Sequence, residues 1–315
     1  MYVHIIWLLI GILSLVSNST VACIILFCRK LRNRNNAILC SMLISGCAIS
    51  ILYILPGLAF PQLRVVSIFF CSTAPSFAFA SFTCYSLHLC GSCLDKVASI
   101  VAPFRYKHYS TGRNTAIAIM CFWIIPYLLC AIPFFTYQPY SSQRCIYSNK
   151  TEIELHREQI IQTVFFTFMI FIPVVGTITL YVVASIKVNA LYGQVSQRPS
   201  LHENWKLARP MIPMLGLFCI CWIPYFIYFI LLSYKNSPKF DAIVDVLRYT
   251  VFVYYVVNPI FIAYSHISIH SQIKLFCQGK QRKRRKRKIS IHPKNDHQLK
   301  DELQVAGATP HKQSK

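Results

Sequence analysis

Two places in this chain carry charges that their apolar surroundings disfavour. Arg248 falls within a long apolar stretch, where a charge is costly and usually marks function. A guanidinium at such a place can hold a carboxylate or a phosphate. Asp245, three residues earlier, offers the other reading, an intrahelical ion pair. Asp95 and Lys96 stand side by side at the end of a second apolar stretch, an acid and a base suited either to an interfacial ion pair or to a switch. Catalytic chemistry has no carrier. The chain holds no HExxH, no GxSxG and no clustered His/Glu set, and His88 is isolated in an apolar run, where packing or a bond to a carbonyl suits it. These patterns exclude an enzyme and call for no cofactor and no metal.

The elements that must position these residues are membrane helices. Of 315 residues, 55% are hydrophobic and 13% charged, against about 25% charged in a soluble domain. The mean hydropathy is +0.47. A span needs about 20 apolar residues, and candidate spans lie at about 5–28, 37–57, 68–97, 114–135, 160–187, 205–232 and 241–264. The runs are too long for strands, and open strands cannot cross lipid. The fold class is all-α, a seven-transmembrane-helix bundle. The first span reads as a signal anchor, since no small-residue cleavage site follows it. Lys and Arg gather after spans one and three, around the loop between spans five and six, and in the tail. The N-terminus is therefore expected outside and the C-terminus in the cytoplasm.

Ser265 to Cys277 reads as a short amphipathic helix lying in the interface, so residues 1–277 form the membrane domain and 278–315 a basic, disordered cytoplasmic tail. Cys277 is a candidate for palmitoylation, or a free thiol. Lys280 to Lys288 holds eight Lys and Arg in nine residues. In a soluble protein such a run suggests nucleic-acid binding; close behind a span it suits anionic lipid headgroups. Ser290, behind Arg287-Lys288-Ile289, is placed for a basic-directed kinase.

A set of landmarks runs the length of the chain: Asn18 in span one, Cys71 at the start of span three and Asp95-Lys96-Val97 at its end, Trp123 in span four, and Cys145 in the second outer loop. Pro173 and Tyr181 follow in span five, Cys221-Trp222-Ile223-Pro224 in span six and Asn258-Pro259 in span seven. Order and register resemble the rhodopsin-like family of G-protein-coupled receptors from end to end, and Lys96 follows Cys71 by 25 residues, as that family's arginine follows its cysteine. Pro103-Phe104-Arg105-Tyr106 and Val256-Val257-Asn258-Pro259 look most like the adenosine-receptor branch. The resemblance implies a plasma-membrane receptor that detects a small-molecule ligand and engages a heterotrimeric G protein and arrestin. It implies a Cys71–Cys145 disulfide in an oxidising compartment. It makes Asp95, Lys96, Tyr181, Trp222, Pro224, Asn258 and Pro259 the coupling and switch positions. Asn149-Lys150-Thr151 is a glycosylation sequon on the same outer loop.

The departures matter as much as the matches. Gly46 replaces the family's helix-two aspartate, which anchors sodium; Tyr85 replaces the helix-three serine, and Tyr254 lies one turn before Asn258. Tyrosine rings are expected to fill the ion's space, because an uncharged site cannot offset sodium's desolvation. Lys96 replaces the arginine, exchanging a planar fork for a point charge. Ile262 replaces the helix-seven tyrosine, and Tyr264, two residues on, points about 200° away. In the implied pocket Ala78 falls where biogenic-amine receptors carry their aspartate, so an amine held by the usual anchor is excluded. Phe77, Phe82, Trp222, Tyr225, Phe226 and Phe229 offer an aromatic wall, or ordinary helix packing. Phe229 stands where adenosine receptors have their asparagine, which argues against adenosine. The expected function is a receptor signalling to G proteins; the departures motivate the alternative, a seven-helix receptor that scavenges, chaperones or engages arrestin only. A transporter lacks support, since neither internal repeats nor paired acids appear.

Overall fold

The computed structural model describes residues 2–60, 62, 74–136, 175–176, 178–179, 182–183, 186, 211–234, 238–266 and 268–275. All regular structure among them is helical. Hydrocarbon offers no partner to a backbone amide, so an apolar chain must satisfy its own peptide groups. Helix α1 spans Tyr2–Phe27, about 39 Å at 1.5 Å per residue, enough to cross the bilayer core. A 3-10 turn at Arg29–Leu31 leads into α2, Arg34–Ile49, which continues as a π-helical segment, Ser50–Ala59. Then come α3 (Ala74–Val101), α4 (Pro103–Tyr109), α5 (Gly112–Thr136), α6 (Met211–Tyr234) and α7 (Pro238–Ser265). Residues 268–275 are helical after a break. The spans expected first, second, fourth, sixth and seventh fall within a few residues of these bounds. The fifth lies largely outside the described residues, as do Cys71, Cys145, Asn149, Tyr181 and Cys277.

Among the elements not anticipated, two contain a proline. Pro103 occupies the first turn of α4, where a missing N–H costs nothing. Pro56 lies inside the π-helical segment, where its missing donor breaks the α-helical ladder. The segment closes with the Phe60 amide donating to the Leu55 carbonyl five residues back, at 2.9 Å.

Among the described helices, α3 packs on α2 and α5, α1 packs on α2 and α7, and α6 packs on α7. Burial follows this order: 67% of the α3 span Phe77–Ser99 is buried against 6% of the α5 span Gly112–Leu129, so α3 is an inner column and α5 an outer one. Met120, Ile124, Ile125 and Leu128 of α5 are exposed, which is costless against lipid tails. By chain contacts the protein divides into two compact units, Met1–Ile269 and His270–Lys315.

The turn between α1 and α2 is held by two asparagines. The Asn33 side chain caps α2, accepting from the Asn36 amide at 2.8 Å, and Asn36 Nδ2 donates to the Leu31 carbonyl at 2.9 Å. Leu31 and Asn36 are each 1% exposed. Replacing Asn33 by alanine removes the cap and is expected to cost about 1 kcal/mol, seen as a lower midpoint for thermal unfolding of the purified chain in detergent.

Candidate functional site

The centre of the bundle is organised by a missing hydrogen. Pro259 has no N–H, so the carbonyl four residues before it, that of Tyr255, loses its helical donor. Asn18 of α1 replaces it: Nδ2 donates to the Tyr255 carbonyl at 2.9 Å and to the Ser14 carbonyl at 2.8 Å. The Ser14 hydroxyl lies 3.5 Å from the Tyr255 carbonyl and 2.9 Å from the Ser50 hydroxyl of the π-helical segment. Ser14, Asn18 and Ser50 are fully buried. Gly46 makes the meeting possible: a Cβ built on it would lie 2.5 Å from Asn18 Oδ1. Helices α1, α2 and α7 thus converge on one freed carbonyl.

One turn of α7 carries the next layer. Asn258 Nδ2 donates to the Tyr85 hydroxyl of α3. The rings of Tyr85, Tyr254 and Tyr255 are fully buried and meet edge to face, with centroids 4.9 to 6.1 Å apart. Tyr85 and Tyr254 therefore do stand together beside Asn258, as their positions suggested. Ile262 is 1% exposed and Tyr264 75% exposed, on opposite sides of α7 as their spacing requires.

Above this layer Phe82 is an aromatic hub. Its centroid lies 5.9 Å from Trp222, 5.8 Å from Tyr255, 5.9 Å from Phe252 and 5.7 Å from Tyr53. Trp222 stacks on Phe218, which meets Tyr254 edge-on at 5.3 Å, and Tyr225 meets Trp222 at 6.2 Å. Phe226 and Ala78 are buried. Phe77 goes elsewhere: it is 37% exposed and packs 5.6 Å from Tyr127 of α5, outside the hub. Arg248 is half-buried one turn before Phe252. The side chains of Phe229 and Asp245 lie outside the described residues. Trp7, Tyr53, Phe252 and Tyr255 were missed as members of this cluster. Tyr249, Phe252 and Tyr255 recur every third residue on one face of α7, and Trp7 stacks on Tyr249 at 4.3 Å; that spacing was the available signal.

At the far end of α3, Lys96 Nζ lies 3.6 Å from Asp95 Oδ2, both side chains largely buried. The Tyr106 hydroxyl of α4 donates to Asp95 Oδ1 at 2.9 Å, and the Arg34 guanidinium of α2 stands 5.8 Å from the Tyr106 ring centroid. Burial pushes the Tyr106 phenol up, keeping it a donor. Beyond α7, burial and the nearby Lys96 charge push His266 down to about 4, so its imidazole is neutral at pH 7. His88 Nδ1 lies 2.7 Å from the Cys84 carbonyl and the ring packs against Phe122, the carbonyl contact and packing anticipated for it. No group of three or more metal-ligating side chains occurs among the described residues. The centre is built from neutral hydrogen bonds and stacked rings. Gly46→Ala drives a methyl into the Asn18 amide and is expected to destabilise by about 1–3 kcal/mol. Thermal unfolding in detergent reads this as a lowered midpoint, and Asn18→Ala added to it should be less than additive, because the two residues touch.

Known proteins place this architecture. The family model described as 7 transmembrane receptor (rhodopsin family) matches residues 17–261. The chain is 23% identical to the D(1)-like dopamine receptor of Oreochromis mossambicus over 282 residues, 80% of this chain and 72% of that receptor. It is 23% identical to the D(1C) dopamine receptor of Xenopus laevis, covering 81% of this chain and 63% of that receptor. It is also 23% identical to the histamine H2 receptor of Cavia porcellus, covering 86% of this chain and 78% of that one. None of these three is an adenosine receptor, and the placement in the adenosine branch finds no support in them. With Asn18 on α1, Asp95-Lys96 on α3, Trp123 on α5, Trp222 and Pro224 on α6 and Asn258-Pro259 on α7, and the match extending across most of the chain, the protein belongs to the rhodopsin family of seven-transmembrane receptors.

Proposed function

We propose that this receptor binds a small molecule among the outer halves of its helices and signals to heterotrimeric G proteins from its inner face. The observation that carries the reading is the unbroken ring path from Phe82 through Trp222 and Phe218 to Tyr254. It ends beside the Asn258–Tyr85 bond. A ligand that repacks Phe82 or Trp222 can bias the packing of α6 against α7, and agonism is then a shift in the population of those packings.

Dopamine and histamine, which name the related receptors, are amines. In this chain α3 presents Ala78 at the position of the amine-binding acid, and its described outer half contains no Asp or Glu. A cationic amine would lack its counter-charge there. The ligand we infer is therefore aromatic or apolar, with any anionic group directed to Arg248. The same reading includes a Cys71–Cys145 disulfide, a glycan on Asn149, a palmitoyl group on Cys277, arrestin as a second partner, and an N-terminus outside the plasma membrane.

Coupling is tested in a resonance-energy-transfer panel of G-protein dissociation, with wild type and Lys96→Arg at matched surface level. Basal or ligand-driven signal is expected from wild type, and a larger signal from Lys96→Arg, whose planar fork restores geometry that a point charge lacks. Silence from wild type with signal from Lys96→Arg would overturn coupling by the native chain and show a coupling site disabled by that residue. The core has a second consequence. With the Gly46 Cβ position filled by Asn18 and Tyr85 and Tyr254 in contact, the unfolding midpoint should be equal in sodium and potassium chloride at matched ionic strength. A saturable sodium-specific rise would show that the ion has a site.

A further inference from the structure

A groove of about 380 Å³ opens between α1, α2 and the start of α5. It lies at the end of the bundle opposite the aromatic hub and away from the Tyr255–Asn18 centre. Its walls are apolar: Ile25 and Leu26 of α1, Ala37 and Cys40 of α2, Ala116 and Ile119 of α5. Leu31, 1% exposed, lines it at the turn. Its rim is basic. Arg32 and Arg34 both line it and both are exposed, and Arg32 Nε donates to the Leu26 carbonyl at 2.6 Å, which holds that guanidinium at the mouth. Arg29, Lys30 and Arg113 stand exposed on the adjoining turns. Among the described lining residues none is acidic.

We propose that this groove binds an anionic phospholipid of the cytoplasmic leaflet, its acyl chain between α1, α2 and α5 and its headgroup phosphate against Arg32 and Arg34. An occupant must arrive through the membrane, because the α5 wall is lipid-facing: Ile117 and Met120, flanking the groove residues, are exposed. Apolar walls call for a hydrocarbon chain, and the exposed Arg32 and Arg34 at the rim favour a headgroup of net negative charge over a zwitterionic one. The two features stand side by side as they do in a phospholipid. The leaflet assignment rests on the orientation proposed above, whereas the site itself does not.

The test uses the full chain in phosphatidylcholine nanodiscs carrying a trace of photoactivatable phosphatidylserine, with a diazirine in its acyl chain, beside the matching phosphatidylcholine probe. Crosslinks are mapped by peptide mass spectrometry, so both faces of the bilayer are available and the result does not depend on orientation. The serine probe is expected to label peptides of the α1–α2 turn and the start of α5 roughly tenfold above the choline probe. Arg32→Gln with Arg34→Gln should abolish that preference. Ala116→Phe, at an exposed position that leaves the core untouched, should block labelling by either probe. Glutamine replacement of the basic run between Lys280 and Lys288 should leave groove labelling unchanged. Equal labelling by the two probes would reduce the groove to an ordinary lipid contact and overturn the proposal. Loss of labelling on neutralising the tail, or complete displacement by inorganic phosphate alone, would overturn it as well.

Discussion

The whole bundle leans on a single carbonyl, that of Tyr255. Proline at 259 strips it of its helical donor, and an unsatisfied peptide group in hydrocarbon costs several kcal/mol. Asn18 answers that demand from a different helix. Because Asn18 can reach only if α1 lies close against α7, and only if α2 yields the space of a side chain at Gly46, one local deficit dictates how three helices approach each other. Ser14 reaches the same carbonyl, and Ser50 attaches to Ser14 through its hydroxyl. Specificity of packing, which apolar contact alone leaves loose inside lipid, comes from this buried polar knot.

From that knot the layers build in both directions. On one side lie rings gathered on Phe82 and joining the α2 segment, α3, α6 and α7. On the other, α3 ends in the Asp95–Lys96 pair, with Tyr106 of the short α4 bonded to the acid and Arg34 over the Tyr106 ring. Lys96 pairs with its sequence neighbour, and Tyr106 of α4 joins the acid to a second helix.

Much of this was readable in the residues before any coordinates. The apolar runs could adopt no structure but helices, since lipid permits no other solution for an uninterrupted chain, and their ends follow from the charges that border them. Asn18, Trp222, Asn258 and Pro259 stood out by type and order. What sequence left unstated is what depends on two elements meeting. Gly46 reads as a missing acid, yet its structural role is the room it leaves for Asn18. Phe77 reads as a member of the aromatic wall, yet its position on α3 turns it toward Tyr127 of α5. Tyr106 reads as part of a loop, and only the α4 turn brings its hydroxyl to Asp95. The π-helical segment at Ser50–Ala59 shifts every residue beyond it around the helix axis, and nothing in local propensity sets where such a shift begins.

The centre of the molecule is also electrically quiet. Among the described residues, no Asp, Glu, Lys or Arg lies between Arg248 near one end of α7 and the Asp95–Lys96 pair at the end of α3. A membrane potential does work only on charge that moves through it, about 2.3 kcal/mol per elementary charge per 100 mV. Rearranging stacked rings and neutral hydrogen bonds carries no such charge across the hydrocarbon. Among the described residues of this core, depolarisation of the membrane therefore finds no full charge to pull on.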